Sequence, residues 1–290
     1  MITQINLLGY ITIKGVIRCL TGIHVGGSAD SIDKGGIDSP VIRNPVTNEP
    51  YIPGSSLRGR MRCILEKALK KSLDELVENI WIHIGKDEDD IATSEVCRIF
   101  GTSKKECTIP SALIVRDCLL SKSSREKYMD GRLPVTEAKM ETAIDRVTSG
   151  AHPRTIERVP SGAEFEFELV YKVQSGAQGN FDESDNQNVK EDIEKLLWAL
   201  EIIEKHDGLG GHTARGYGQV KFIVTNLDAK KVDIVTPAFE KKEGGFEYTL
   251  KDDDSDKTDY NILKSKYVNN ICFHKECPQV NEETKTTNED

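Results

Sequence analysis

Leu209-Gly210-Gly211-His212-Thr213-Ala214-Arg215-Gly216-Tyr217-Gly218-Gln219-Val220 concentrates residue types that grip phosphate. Glycines lack a Cβ, so their backbone N–H groups can close on phosphate oxygens, and Arg215 adds a charge-assisted donor. His212 supplies a further donor beside them. Taken alone, one glycine-rich stretch is equally a connection that binds nothing. A second anion-seeking feature is Pro53-Gly54-Ser55-Ser56-Leu57-Arg58-Gly59-Arg60-Met61-Arg62, in which breaker and N-cap residues lead into a helix. The free N–H groups and positive dipole end at Ser55 and Ser56 favour anions. Arg58 and Arg62 lie one turn apart on the same face, so both can meet one nucleic-acid backbone, and Arg60 stands between them. The plainer account is a capped helix with a solvated basic face. Asp38 precedes Ser39-Pro40, where an aspartate ordinarily forms a turn. His24, in an earlier glycine-rich turn, is better suited to a structural hydrogen bond than to catalysis. His83, Cys97 and Cys107 lack the tight spacing of zinc ligands, as do Cys272, His274 and Cys277, so no metal site is assigned.

These residues need elements to hold them. Ile11, Ile13, Gly15, Ile17 and Cys19 alternate with polar or smaller neighbours, the period of a half-buried strand. A loop then runs to about residue 52. Leu57, Met61, Ile64, Leu65, Ala68 and Leu69 fall at helical spacing and predict a first helix to about Lys71. Residues 74–110 read as an insertion, helical at first, then acidic, then rich in Ser and Thr. Ser111–Leu120 reads as a second strand, and residues 121–162 as a long polar loop or hairpin. Phe165, Phe167, Leu169, Tyr171 and Val173 mark a third strand, followed by a polar, disordered stretch over Gln174–Asn188. Ile193, Leu196, Leu197, Leu200 and Ile203 predict a second helix ending before Gly208, and Gly218–Asn226 a fourth strand. The order βαββαβ is the split βαβ arrangement of an α+β, ferredoxin-like (RRM-like) domain. The expected organisation is therefore a core over 1–227, with insertions at about 74–110 and 121–162, and an acidic C-terminal extension over 228–290. Aromatic residues at Phe239, Phe246, Tyr248, Tyr260 and Tyr267 would add a strand or helix to the core, and the last dozen residues are expected to be disordered.

The net charge of −9 argues against a nucleic-acid partner only until its distribution is read. Lys14, Arg18, Lys34, Arg43, Arg58, Arg60, Arg62, Lys67, Lys70 and Lys71 make the first 71 residues basic, while acid collects in Asp74–Glu95, Asp182–Glu194 and the tail. Screening over about 8–10 Å keeps such patches independent, so a basic face can bind phosphate on an acidic protein. No apolar run approaches the roughly 20 residues needed to span a bilayer, and seven scattered cysteines suit a reducing compartment. A cytoplasmic protein without membrane attachment is expected.

A resemblance sharpens these expectations. The glycine-rich segment 209–220 resembles the C-terminal glycine-rich loop of the RAMP superfamily of CRISPR proteins. Gly36-Ile37-Asp38-Ser39-Pro40-Val41-Ile42-Arg43-Asn44-Pro45-Val46-Thr47 and Tyr51–Arg62 resemble the Csm backbone subunits of type III-A complexes. So do Glu95-Val96-Cys97-Arg98-Ile99-Phe100-Gly101 and Arg154-Thr155-Ile156-Glu157-Arg158-Val159. The blocks occur in family order between residues 10 and 226. The resemblance implies a subunit stacked in several copies along a guide (cr)RNA, among the other subunits of a Csm complex, cutting a complementary target RNA at regular intervals. It implies a catalytic role for Asp38, holding Mg²⁺ or another divalent cation or activating a ribose 2′-OH, with Asp30 and Asp33 as possible assistants. It implies guide contacts from Ser55, Ser56, Arg58, Arg60 and Arg62, and from Gly210, Gly211, His212, Arg215, Gly216, Tyr217 and Gly218. It also implies a thumb-like hairpin over residues 142–160, with Ile144 as a wedge and Arg146 as a clamp on the guide–target duplex. A non-cleaving guide-binding scaffold, or an endoribonuclease processing CRISPR transcripts, remains the alternative.

Overall fold

A computed structural model describes residues 6–26, 38–77, 79–103, 108–129, 134–175, 183–232, 247–249 and 259–271. Asp30, Asp33, Cys107, Phe239, Phe246, the Cys272–Cys277 cluster and the last dozen residues lie outside them.

In chain order the elements begin with β1 (Leu7–Cys19), α1 (Gly54–Ala68), β2 (Glu75–Val77), β3 (Ile80–Ile82), α2 (Glu88–Thr93) and α3 (Glu95–Phe100). Next come β4 (Thr102–Ser103), β5 (Thr108–Ile109), β6 (Leu113–Val115), β7 (Leu119–Leu120), α4 (Lys122–Met129), β8 (Glu137–Ile144) and β9 (Ala151–Arg158). The chain continues through β10 (Glu164–Gln174), α5 (Glu183–Lys205), a 3₁₀ turn at Thr213–Arg215, β11 (Val220–Lys231), β12 (Glu247–Thr249) and α6 (Tyr260–Ile262), which runs on as irregular helix to Asn270.

This is a mixed α and β protein built on an antiparallel sheet of order β12-β11-β1-β10-β6, with β7 also pairing β10. The alternation along β1 buries Ile11, Ile13, Ile17 and Cys19 in one cluster with Leu57, Met61 and Leu65 of α1 and Ile193, Leu196, Leu197, Leu200 and Ile203 of α5. Each such aliphatic chain contributes about 1.5–3 kcal/mol by leaving water. Phe167 and Phe222, on strands flanking β1, meet edge to face at 5.7 Å.

Four expectations change in detail. The expected second strand is two short ones, because the link between them is used elsewhere: Cys118 exchanges backbone hydrogen bonds with Ile52, and Asp117 accepts from the Gly54 N–H at 2.7 Å. The helix predicted from Ile193 begins at Glu183, ten residues earlier. Glu183 and Asp185 suit a helix N-terminus, and Val189 extends the buried face. The insertion opens with the β2–β3 hairpin rather than a helix, since Asn79 takes the left-handed conformation that a tight turn requires. Residues 121–162 resolve into α4 and the β8–β9 hairpin.

Arginines bind the insertion to the core. Arg98 of α3 donates to the fully buried Asp192 of α5 from Nη2 at 2.9 Å and Nε at 3.3 Å, and the Tyr171 hydroxyl donates to the same carboxylate at 2.7 Å. Beyond β11, β12 extends the sheet and Leu263, Val268 and Ile271 join the core. Among the described residues no helix is long and apolar enough to cross a membrane.

Candidate nucleic-acid interface

The glycine-rich loop leaves α5 and folds onto the turn after β1. Gly211 N–H donates to the His24 carbonyl at 2.8 Å, Gly218 N–H to Gly22 at 3.0 Å, and Leu209 N–H to Gly218 at 2.9 Å. Two positions demand glycine. Gly210 (φ +85°) and Gly218 (φ +70°) are left-handed, and a Cβ would overlap the carbonyl oxygens of His24 and Leu209 respectively. Arg60 braces the loop from α1, donating from Nε to the Gly208 carbonyl at 3.0 Å and pairing with Asp207. His212 (φ 60°) and Gly216 (φ 84°) flank the short helical turn that carries Arg215 outward.

Beside this loop stands a stack of rings and cations. His24 and His212 are 5.4 Å apart, and His212 and Tyr217 5.6 Å. The ammonium of Lys139 lies 4.3 Å from the Tyr217 ring centre and the guanidinium of Arg158 5.1 Å, within cation–π range. Burial and the neighbouring Glu141 carboxylate push the Tyr217 hydroxyl up to about 12. Burial, with His24 and Arg215 nearby, lowers His212, so it is a neutral imidazole near pH 7. Arg215 is 57% exposed and paired only with Glu141 at 3.5 Å, so its guanidinium stays available to an anion.

Asp38 is positioned from outside its own turn. It is exposed; its N–H donates to the Thr155 carbonyl at 3.0 Å and its Oδ2 accepts from the Thr155 N–H at 2.7 Å. The segment runs on beside β9: Ser39 bridges Ile156 in parallel, and Glu157 N–H donates to Ser39 at 3.0 Å. The Glu157 side chain, 7% exposed, accepts from Val41 N–H at 2.8 Å, Arg43 Nη2 at 2.6 Å and the Thr136 hydroxyl at 2.7 Å. Burial works to raise its carboxyl, but Thr136, Val41 and Arg43 outweigh it and hold it below the ordinary carboxylate range. His24 Nδ1 donates to the Glu157 carbonyl at 2.7 Å, and Ile23 exchanges backbone bonds with Val159. Asp38, the His24 turn, the glycine-rich loop and the β8–β9 hairpin thus share β9 as a common support.

The remaining candidates fall apart from this centre or turn inward. Ser55 and Ser56 open α1, yet neither side chain caps it; Asp117 meets the helix start instead. Arg58 Nη2 donates to the Phe100 carbonyl at 2.6 Å and Arg62 Nη2 to the His83 carbonyl at 2.7 Å, with both guanidiniums over the Phe100 ring. These arginines hold the insertion against α1. Ile144 is 56% exposed near the hairpin tip, next to the exposed Arg146 and to Val147 at 91%. Asp145 ties that tip through the Val147 and Thr148 N–H groups at 2.8 and 2.7 Å. His83 sits buried between the Ser72 carbonyl and the Ser94 hydroxyl, and Cys97 Sγ donates to the Ile84 carbonyl. Among the described residues no three His, Cys, Asp or Glu side chains group to hold a metal ion. Sequence reasoning did not single out Lys139 or Glu157 as site residues. The Arg154–Val159 block contained Glu157, but nothing in its spacing marked the carboxylate as a hub.

The model of the RAMP superfamily matches residues 16–221. The "CRISPR system Cms endoribonuclease Csm3" of Enterococcus italicus is 37% identical over 75% of this chain and 92% of its own length. Its counterpart in Streptococcus thermophilus is 41% identical over 71% of this chain and 84% of its own. The crystal structure of a Csm3–Csm4 subcomplex of the type III-A CRISPR–Cas interference complex superposes with a TM-score of 0.52 at 25% identity, covering 92% of this chain and 98% of that one. With a glycine-rich loop, an exposed aspartate and a projecting hairpin gathered on one strand, and with these relatives matched over most of both chains, this chain belongs to the RAMP superfamily and, within it, to the Csm3 endoribonucleases.

Proposed function

We propose that this chain is the repeating backbone subunit of a type III-A CRISPR effector, built on a ferredoxin-like core, which binds guide RNA and cleaves complementary target RNA. The observation that carries the cleavage step is the exposed Asp38 carboxylate held by Thr155 on the strand that also supports the glycine-rich loop and the hairpin. Copies of the chain stack along the guide with the other Csm subunits, in the cytoplasm. Arg215, the backbone N–H groups of the loop and neutral His212 hold phosphates, while Ile144 and Arg146 enter the guide–target duplex and unstack it. Unstacking frees one ribose to bring its 2′-OH in line with the adjacent phosphorus. Asp38 accepts the 2′-OH proton as the oxygen attacks, and the P–O5′ bond breaks to leave a 2′,3′-cyclic phosphate and a 5′-OH. Asp38 Oδ2 is engaged by Thr155, which leaves Oδ1 as a single carboxylate ligand. One carboxylate together with substrate phosphate oxygens fits Mg²⁺ better than a cage made by the protein alone. A bound divalent cation would neutralise charge developing on the phosphate.

The test compares wild type and Asp38→Ala in the reconstituted effector with complementary RNA, in Mg²⁺ and in EDTA. The expected result is unchanged target binding with no regularly spaced fragments from the variant, and none from wild type in EDTA. Equal cleavage by both proteins would reduce this chain to a guide-binding scaffold, and undiminished cutting in EDTA would remove the cation from the reaction.

A further inference from the structure

We infer that Glu157 is the positioning residue that locks the Asp38 segment to the hairpin, so that one rigid unit both opens the RNA duplex and presents the carboxylate. This rests on the cleavage role proposed for Asp38.

Asp38 has no support of its own beyond Thr155, and what fixes residues 39–43 against β9 is chiefly one side chain. The Glu157 carboxylate is 7% exposed and takes three donors from two separate segments: Val41 N–H and Arg43 from the Asp38 strand, and Thr136 from the lead into β8. Its own backbone completes the junction, donating to Ser39 and accepting from His24, whose carbonyl in turn anchors Gly211. A buried carboxylate with its hydrogen bonds filled is rigid, because each partner that leaves strands a charge without compensation. Thr155 and Glu157 are two residues apart on β9, so both point the same way toward the Asp38 segment. Movement of β9 with the hairpin therefore moves Asp38 in step. The regular cutting interval is then set where the hairpin enters the duplex, with the carboxylate held at constant reach from it.

The test uses the assembled effector with saturating target RNA under single-turnover conditions, comparing wild type, Asp38→Ala, Glu157→Ala and Thr136→Val. Each is measured for cleavage rate, target affinity, position of the cut, and amide exchange over residues 38–43. Glu157→Ala is expected to bind target as tightly as wild type and to cut about 10–100-fold more slowly. Its cuts should spread to neighbouring phosphates, and the Val41 amide should lose protection while amides of β10 and α5 keep theirs. Thr136→Val, nearly isosteric, removes one of the three donors and is expected to give the same pattern at smaller size; it decides the matter if Glu157→Ala does not fold. A merely structural role predicts lower thermal stability and weaker binding, with the rate at saturation and the cut position unmoved, and that result overturns the inference. If Asp38→Ala cuts like wild type, the cleavage role itself fails. If Asp38→Ala is dead while Glu157→Ala and Thr136→Val cut normally, only the positioning role fails.

Discussion

Replacing Arg98 with methionine keeps much of the aliphatic stem and removes the cation that joins α3 to α5. Asp192, 0% exposed, then retains only the Tyr171 hydroxyl of its three donors. Breaking a buried pair from one side costs about 3–5 kcal/mol because the remaining charge is uncompensated. In a chain of this length that lowers the melting temperature by roughly 10 °C. The pH dependence identifies the cause. Burial already raises the Asp192 carboxyl to about 6 even though Arg98 works to lower it, so losing Arg98 raises it further. The folded pKa then lies well above the unfolded value of about 3.9, and the folded state holds the extra proton between them. Protonation relieves the stranded charge, so the variant's deficit shrinks as pH falls through the raised pKa, by up to about 1.4 kcal/mol per pH unit. Urea unfolding of wild type, Arg98→Met and Arg98→Met/Asp192→Leu at pH 7.5 and 5.5 measures this directly. The double variant is expected to recover most of the loss. A deficit below about 1 kcal/mol at pH 7.5, or one equal at both pH values, would refute a buried carboxylate stabilised by Arg98.

Two further predictions separate arginines that hold the fold from one that meets RNA. Arg58→Met strips the charged donor from the Phe100 carbonyl at the end of α3 and is expected to cost about 1–3 kcal/mol in thermal unfolding, with the guide affinity of the folded protein unchanged. Arg215→Ala removes an exposed guanidinium and is expected to change stability by less than about 0.5 kcal/mol. It should instead weaken guide binding and reduce the slope of log Kd against log salt by about 0.7, and an unchanged slope would place Arg215 off the RNA.

Legibility varied with the range of the interaction concerned. The alternation along β1 and β10 and the helical spacing in α1 and α5 are set by neighbours one to four residues apart, so the sheet–helix core was readable. The glycines at 210 and 218 were equally readable as a loop, since left-handed backbone is a local demand. Elements of two or three residues, such as β2, β3, β6 and β7, were not, because so short a run carries no period and is selected by its partner. The start of α5 at Glu183 was missed for a related reason: a polar first turn resembles a loop until Asn186 finds the Ile271 carbonyl across 85 residues.

Arg58 and Arg62 show the same divide within the site. From sequence they form a basic helix face open to an anion. In the fold, the end of α3 and the His83 strand approach that face and take up their N–H groups. Asp38 shows it in the other direction: its turn chemistry was visible, but its hold on Thr155 lies 117 residues away. The sequence alone determined where strands and helices with a regular apolar period lie, where the backbone must go left-handed, and which segments carry the family's blocks. Only the tertiary structure decided which charges face solvent, which are buried in pairs, and that β9 joins aspartate, glycine-rich loop and hairpin. Those are contacts between residues far apart in the chain, and no local pattern encodes which distant partner a polar side chain will meet.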